Sequence, residues 1–257
     1  MNIITKTIAG IAAGIIALAA VSCSKDDTIR YNNATMGNIV NGKFVSDQGN
    51  IFNVVEQSCK GKLDTMKRAF VVCDILRATE GAKGEYDVRV HQISTVLTKD
   101  IIRQSEITDD ALTVKDPFVV SNIWISGGYL NLYIAIPVLT ENGKQHTLNC
   151  VLDDTAVKEG EYSFQFRHNA NGEVLKQGNE NNDKMVIAGA YASFPIDEVI
   201  KEDSARLKFN WNSYKVQYPG IIVFDTEEIN AEREYRKAES SQAPSNTSTY
   251  SMLSDIE

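Results

Sequence analysis

The chain has 257 residues, of which 43% are hydrophobic and 23% charged, so it can bury one large core or two ordinary ones. Its formal net charge is −8 and its isoelectric point is near 5.0. Because a phosphate-binding surface needs clustered Lys and Arg, this acidic balance argues against a nucleic-acid partner.

Residues 1–22 are typical of a targeting segment rather than of folded protein. Lys6 is the only charged side chain before Cys23, and the apolar run from Ile8 to Val21 is too short for a stable membrane span. The residues Ala20-Val21-Ser22-Cys23 resemble the lipobox of bacterial lipoproteins, in which the Cys thiol accepts diacylglycerol. We therefore predict a signal peptide and a membrane anchor of acyl chains, such as palmitate, on Cys23. The alternative is a plain secretory peptide with an incidental Cys.

Residues 23–30 are predicted to form a tether. They begin with Cys23 and Ser24-Lys25-Asp26-Asp27, and this acidic segment resembles the export signal that sends such lipoproteins to the outside of the outer membrane. The expected location is therefore the outer membrane, with the lipid-anchored protein displayed on the cell surface. An ordinary hydrophilic linker is the alternative.

Residues 31–112 are predicted to form a small closed β-barrel. The run from Ala69 to Leu76 is nearly continuously apolar, which is typical of a strand buried on both sides. Gly81 and Gly84 mark a turn, after which the apolar Tyr86, Val88 and Val90 alternate with Asp87, Arg89 and His91. A series of short strands separated by turns favours a barrel.

Residues 113–218 are predicted to form an antiparallel β-sandwich. The polar segment from Asp100 to Lys115 contains the expected domain boundary, near Leu112. Asn142-Gly143 between two apolar runs is a hairpin signal. Two later stretches have the period of two that marks a strand with one buried face: Tyr162, Phe164, Phe166 and His168 alternate with Ser163, Gln165 and Arg167, and Leu207, Phe209 and Trp211 alternate with Lys208 and Asn210.

The stretch from Asp116 to Leu139 contains a turn at Gly127-Gly128 between two apolar runs. Beyond the turn, alternate residues from Leu130 to Val138 are apolar, as in a strand. Trp124 lies in the first run, and we expect it to anchor the core of the sandwich.

This stretch resembles the signature of the NigD-like lipoproteins of Gram-negative anaerobic bacteria. The matching residues are Asp116-Pro117, Trp124, Gly127-Gly128 and Tyr129-Leu130-Asn131, and Val96 to Lys99 also match. The resemblance covers most of residues 31–218 and implies an all-β outer-membrane lipoprotein with an OB-like barrel followed by a β-sandwich. The family is named after a bacteriocin-associated operon, which implies an immunity role, but its activity is largely unassigned.

Residues 219–257 form a polar tail that the family pattern does not include. The tail is charged up to Glu239 and then rich in Ser, Thr, Asn, Gln and Pro. We predict that it is largely disordered, apart from a helix-prone run from Glu227 to Glu239.

The sequence predicts no catalytic residue, no metal site and no cofactor. The histidines lack metal-ligand spacing, although His146 and His168 lie near strand ends and could approach one another. Whether Cys59, Cys73 and Cys150 form a disulfide stays open.

Four triplets of Asp, a hydroxyl residue and an apolar residue are similar to the O-glycosylation motif of exported proteins in the bacterial group that carries the NigD-like family. Their acceptors would be Thr28, Thr65, Thr155 and Ser204. For any one triplet the alternative is chance.

Two functions from different classes remain. The first is a binding or immunity-type module for an unknown protein or glycan partner in the envelope or outside the cell, with its oligomeric state open. The second is a surface hydrolase that acts on glycan or peptide through carboxylates. Two facing carboxylates in a cleft would favour the hydrolase, and a flat patch of exposed aromatic residues would favour binding.

Overall fold

The computed structural model of the chain describes residues 32–155, 158–178, 180–217 and 221–234. The predicted signal peptide, Cys23, the tether and residues 235–257 lie outside this range. The regular structure of the described residues is β-strand apart from four 3₁₀ turns, so the all-β prediction is confirmed. None of their helices is long and apolar enough to cross a membrane.

The first compact unit extends to Ile93 and contains a closed five-stranded barrel. Its strands are β1 (Asn32–Val40), β2 (Lys43–Ser46), β3 (Ile51–Gln57), β4 (Arg68–Ala78) and β5 (Glu85–Thr98), with a 3₁₀ turn at Leu63–Thr65. The strand order is β3-β2-β1-β4-β5, and a parallel pairing of β3 with β5 closes the barrel. This arrangement confirms the predicted OB-like barrel.

The barrel encloses an apolar core and one buried ion pair. The core consists of Phe44, Phe52, Ala69, Val71, Cys73, Val88 and Val90. Both nitrogens of the Arg68 fork donate to the carboxylate of Asp47, at 2.7 and 2.6 Å, and both side chains are only 1% exposed. This pair ties the turn after β2 to the start of β4.

The second compact unit begins at Ser94 and is a β-sandwich. Its further strands are β6 (Ile102–Arg103), β7 (Val119–Ser126), β8 (Tyr129–Leu139), β9 (Thr147–Leu152), β10 (Glu161–Asn169), β11 (Met185–Pro195), β12 (Ser204–Gln217) and β13 (Ile221–Glu234). One sheet contains β11, β8, β7 and the end of β5, and the other has the order β13-β12-β10-β9-β6.

Aromatic side chains dominate the core between the two sheets. Phe166 stacks on Phe209 with ring centroids 5.9 Å apart, and Phe194 and Trp211 lie 6.4 Å from the Phe166 ring. The predicted sandwich is confirmed, but it is not wholly antiparallel, since β10 and β12 run parallel. The reason is that the chain leaves this sheet after β10, forms β11 in the opposite sheet, and then returns.

The two units divide after Ile93, whereas the sequence placed the boundary near Leu112. The last residues of β5 pair with β11, and β6 pairs with β9, so both belong to the second unit. The polar composition of residues 100–115 reflects a segment that covers the sandwich rather than a linker between domains.

The prediction for the beginning of the polar tail is wrong. Residues 221–234 form β13, which pairs with β12 along its whole length and includes residues 227–234 of the helix-prone run. Pairing with an existing edge strand supplies backbone hydrogen bonds that outweigh a weak helix propensity.

The expectation that Trp124 anchors the core is also wrong. Trp124 is half-buried and pairs across the strands with Asn131, while its neighbours Ile123 and Ile125 contact the core. Because successive strand residues face opposite sides, Trp124 lies on the other face, and the buried tryptophan of the core is Trp211. The turn is as predicted: Gly128 has φ +80°, and an added Cβ would lie 2.5 Å from the Asp197 carboxylate.

Candidate functional site

A polar cleft of about 340 Å³ lies on the face of the second sandwich sheet that points away from the core. Its floor is built from strands β9, β10 and β12 and consists of Val151, Ser163, Gln165, Arg167 and Asn210. Its rim consists of Gln104, Lys115, Asp153 and Thr155. All of these residues belong to the second unit.

The strand period explains why polar groups converge here. In β10 the aromatic Phe164 and Phe166 enter the core, so Ser163, Gln165 and Arg167 must face outward. The register then places Gln165 beside both Val151 and Asn210, in one row across three strands.

The segment between β6 and β7 forms one wall of the cleft and is fixed by hydrogen bonds to the sheet. Asn212 Nδ2 donates to the carbonyl of Lys115 at 2.6 Å, and the backbone N–H of Ser105 donates to Asp154 at 3.0 Å. These bonds hold Gln104 and Lys115 against the outward-facing strand residues.

Arg167 is the central side chain of the cleft and is 5% exposed. Its Nε donates to Gln165 Oε1 at 2.9 Å, its Nη1 donates to the carbonyl of Leu112 at 3.0 Å, and its Nη2 donates to Gln104 Oε1. All three acceptors are neutral, and among the described residues no carboxylate forms an ion pair with this guanidinium. Burial lowers the pKa of Arg167, as expected for a cation without a nearby opposite charge.

Lys115 brings a second positive charge to the cleft. Partial loss of hydration at the rim lowers the pKa of Lys115, and the charge of Arg167 lowers it further. Asp153 is the one acidic residue of the lining, and its Oδ1 accepts from the backbone N–H and the hydroxyl of Thr155, at 3.1 and 2.6 Å. Two cations and one carboxylate leave a formal charge of +1 in a chain whose net charge is −8.

Of the residues of this cleft the sequence singled out only Thr155, as a glycosylation acceptor, and it predicted no binding site here. The alternation of Ser163, Gln165 and Arg167 with aromatic residues was a usable signal, because it predicts an arginine on a sheet face. Nothing in the sequence indicated that residues 104–115 would cover that face, so the burial of Arg167 could not be foreseen.

The predicted modification sites are distributed over the molecule. Thr65 is exposed in a 3₁₀ turn of the first unit, Thr155 is exposed at the rim of the cleft, and Ser204 is exposed at the start of β12. Cys23 and Thr28 lie outside the described residues. Glycosylation and lipidation therefore stay predictions.

The expected approach of His146 and His168 is confirmed, since His146 Nδ1 lies 3.0 Å from His168 Nε2. His146 Nε2 lies 3.2 Å from the Glu173 carboxylate, which also accepts from the backbone N–H groups of Leu139 and Lys144. The His146, His168 and Glu173 side chains are almost fully buried, so this network fixes the β8–β9 hairpin and offers no reactive surface.

Burial, reinforced by the neighbouring His146, lowers the pKa of His168 to about 4. Burial raises the pKa of Glu173, but its hydrogen bonds from Lys144, Leu139 and His146 outweigh burial, and the net change is a decrease. In the described part of the chain, no group of three or more His, Cys, Asp or Glu is arranged to hold a metal ion.

The first unit contains a serine–histidine–aspartate array that the sequence analysis missed. Ser58 Oγ lies 3.2 Å from His91 Nδ1, and His91 Nε2 lies 2.9 Å from Asp74 Oδ2. Ser58 also donates to the carbonyl of Val90 at 3.3 Å. In serine proteases the serine contacts Nε2 and the carboxylate contacts Nδ1, so the two ring nitrogens are exchanged here.

Cys59, Cys73 and Cys150 are free thiols, which answers the disulfide question that the sequence left open. Burial raises the pKa of Cys73 to about 12 and also raises that of Cys150. Thiols that stay protonated are poor nucleophiles, so these two residues act as small core side chains.

Comparison with known proteins identifies the second unit. Residues 100–223 match the family model described as the NigD-like C-terminal beta sandwich domain. No curated protein is significantly similar to the chain in sequence.

Three solved structures are similar in fold. A DUF1344 protein of unknown function from Bacteroides vulgatus has a TM-score of 0.57 at 19% identity, with 82% of this chain and 93% of that chain covered. A presumed lipoprotein from Bacteroides fragilis has a TM-score of 0.53 at 14% identity, with 82% and 99% covered. A NigD-like immunity protein from Bacteroides caccae has a TM-score of 0.49 at 17% identity, with 80% and 94% covered. At these identities the first two comparisons establish the fold alone, and the match of residues 100–223 shows that the second unit is a NigD-like C-terminal beta sandwich domain.

Proposed function

We propose that the chain is a lipid-anchored binding module of immunity type that holds an envelope or extracellular partner at the outer membrane. The observation that carries this proposal is the cleft around Arg167, where two cations and several side-chain amides converge on an accessible sheet face. Such a site offers recognition groups for a ligand but lacks the components of a reaction centre.

The lining of the cleft argues against the alternative of a carboxylate-based hydrolase. Glycoside hydrolysis needs two facing carboxyl groups, one as acid and one as base or nucleophile. The cleft contains only Asp153, whose Oδ1 is already occupied by Thr155. Binding is therefore the better-supported function of this surface.

The anchor part of the proposal rests on Cys23 and its lipobox, and on the match of residues 100–223 to the NigD-like C-terminal domain. The fold similarity to a presumed lipoprotein is in line with it. We expect mass spectrometry of the membrane fraction to find acyl chains on Cys23, and Cys23→Ala to release the chain. Surface display, proposed from residues 24–27, predicts that protease added to intact cells removes the protein.

The binding role can be tested by photo-crosslinking in the native host. A photoreactive amino acid placed at Thr155, on the rim of the cleft, should trap one defined adduct. The same amino acid at Lys158, an exposed position three residues further along the chain, is the control and should trap none. Equal labelling from both positions, or from neither, would contradict a binding role for this cleft.

The Ser58–His91–Asp74 array favours a second candidate function, an esterase or peptidase activity of the first unit. This candidate predicts that the chain hydrolyses an activated ester such as p-nitrophenyl butyrate, and that Ser58→Ala abolishes the hydrolysis. Equal rates of ester hydrolysis by the unmodified chain and by Ser58→Ala would eliminate this candidate function.

A further inference from the structure

We infer that the cleft binds the carboxylate of a small hydroxylated monoanion, of the chemical class of a uronic acid sugar. This inference rests on the proposed binding function and names the ligand class of the same site. It starts from Arg167, whose charge is almost completely removed from water without an acidic partner among the described residues. A bound anion would supply the missing opposite charge.

The hydrogen bonds of Arg167 leave room for such a partner. A guanidinium has five N–H groups, and three of them donate to Gln165, Leu112 and Gln104. One N–H on each Nη nitrogen remains without an acceptor in the described structure. Two N–H groups on adjacent nitrogens match the two oxygens of a carboxylate.

The charge of the lining selects a monoanion. Lys115 and Arg167 together carry two positive charges, and Asp153 removes one of them. A carboxylate would neutralise the remaining charge, whereas a phosphate dianion would exceed it and meet repulsion from Asp153.

The other lining groups indicate a ligand with hydroxyl groups. The amide nitrogen of Gln165 donates to Asn210 Oδ1 at 3.1 Å, while the amide nitrogens of Gln104 and Asn210 have no acceptor within the described residues. The Ser163 hydroxyl also lacks a partner there. No aromatic side chain lines the cleft, so its polar groups must provide most of the recognition.

The test is isothermal titration of the full-length chain, kept soluble in detergent, with sodium glucuronate. Glucose tests the need for the carboxylate, and inorganic phosphate tests the preference for a monoanion. We expect saturable binding of glucuronate and binding at least about tenfold weaker for both comparison compounds, since a hydrogen bond to a charged group contributes about that factor.

Variants of the two cations locate the binding. Arg167→Gln should abolish glucuronate binding, and Lys115→Ala should weaken it about tenfold. Lys158→Ala removes an exposed lysine outside the lining and is the matched control, with unchanged affinity expected. Lys115 is itself exposed, so Lys115→Ala keeps the test decisive if Arg167→Gln does not fold.

Equal affinity for glucose and glucuronate, tighter binding of phosphate, or unchanged affinity in Lys115→Ala would each overturn the inference. An adduct from Thr155 without glucuronate binding would refute this ligand class while the proposed binding function stands. Glucuronate binding that Lys115→Ala weakens, without an adduct in cells, would support the ligand class and refute a partner held in the envelope.

Discussion

Two arginines, one in each unit, are buried to nearly the same extent, but only the one in the barrel has a carboxylate beside it among the described residues. Arg68 in the barrel is 1% exposed and shares two short hydrogen bonds with the equally buried carboxylate of Asp47. Arg167 in the sandwich is 5% exposed and donates only to neutral oxygens. Because an unpaired buried charge is costly, an internal pair indicates a structural role, and a missing pair beside a cleft indicates a place for a ligand.

The largest expected effect comes from breaking the internal pair. Asp47→Asn removes the carboxylate that forms an ion pair with the buried Arg68, and we expect the free energy of unfolding of the first unit to fall by about 3–5 kcal/mol. Chemical denaturation of the full chain measures this loss. Glu56→Gln is the control, because Glu56 pairs with Arg89 at the surface, and little change is expected. A loss no larger than that of the control would show that the Arg68–Asp47 pair is not structural.

The next effect concerns the buried polar network of the second unit, and it depends on pH. The pKa of His168 is lowered from its ordinary value of 6.5 to about 4 in the folded chain. Between these values the unfolded chain binds a proton that the folded chain does not bind. Stability should therefore fall as the pH falls from about 6.5 to about 4, by up to about 1.4 kcal/mol per pH unit and by about 3 kcal/mol in total.

Urea denaturation at several pH values checks this prediction. The lowered pKa of Glu173 acts in the same direction but at lower pH, where its carboxylate becomes protonated. His168→Gln should flatten the dependence of stability on pH above about pH 4. His91→Gln alters an exposed histidine of the first unit and should leave this pH dependence unchanged. If the free energy of unfolding of His168→Gln changes with pH as steeply as that of the unmodified chain, His168 is not the origin of the pH dependence.

The smallest effect is expected from removing the unpaired charge. Arg167→Met loses three hydrogen bonds to neutral acceptors but also removes the cost of burying a lone cation, so we expect a stability change of roughly 1 kcal/mol or less. The matched variant is Arg68→Met, which removes the cation that neutralises the buried Asp47 carboxylate and should cost several times more. Equal losses in the two variants would remove the distinction between the two arginines.

The sequence predicted the elements whose patterns are local. The alternation in residues 162–168 predicted strand β10 and its aromatic core face, and Gly127-Gly128 predicted the turn. Periodicity also placed Trp211 on a buried strand face with Leu207 and Phe209, but it could not do the same for Trp124, which lies between two apolar residues, Ile123 and Ile125. The burial of Trp124 depends on which face of its strand meets the opposite sheet.

The features that were missed depend on long-range contacts. The polar residues 100–115 were predicted to contain a boundary, but they cover the sheet and supply acceptors to Arg167. The run from Glu227 to Glu239 was predicted to favour a helix, but its described part, residues 227–234, pairs with β12. The missing ion pair of Arg167 is likewise a property of the assembled fold, since the strand register decides which carboxylates lie within reach of its guanidinium.

The most direct test of the central claim is Gln165→Glu, which provides Arg167 with the opposite charge that the fold lacks. Gln165 Oε1 already accepts from Arg167 Nε at 2.9 Å, so the new carboxylate would form an ion pair with Arg167. The only rearrangement required is a flip of the Asn210 amide, which turns its N–H toward the second carboxylate oxygen in place of the acceptor that Gln165 Nε2 now contacts. We predict that the Gln165→Glu chain is about 1–2 kcal/mol more stable and no longer binds glucuronate, whereas the exposed control Gln145→Glu changes neither property. A Gln165→Glu chain that gains no stability and binds glucuronate with unchanged affinity would contradict the account.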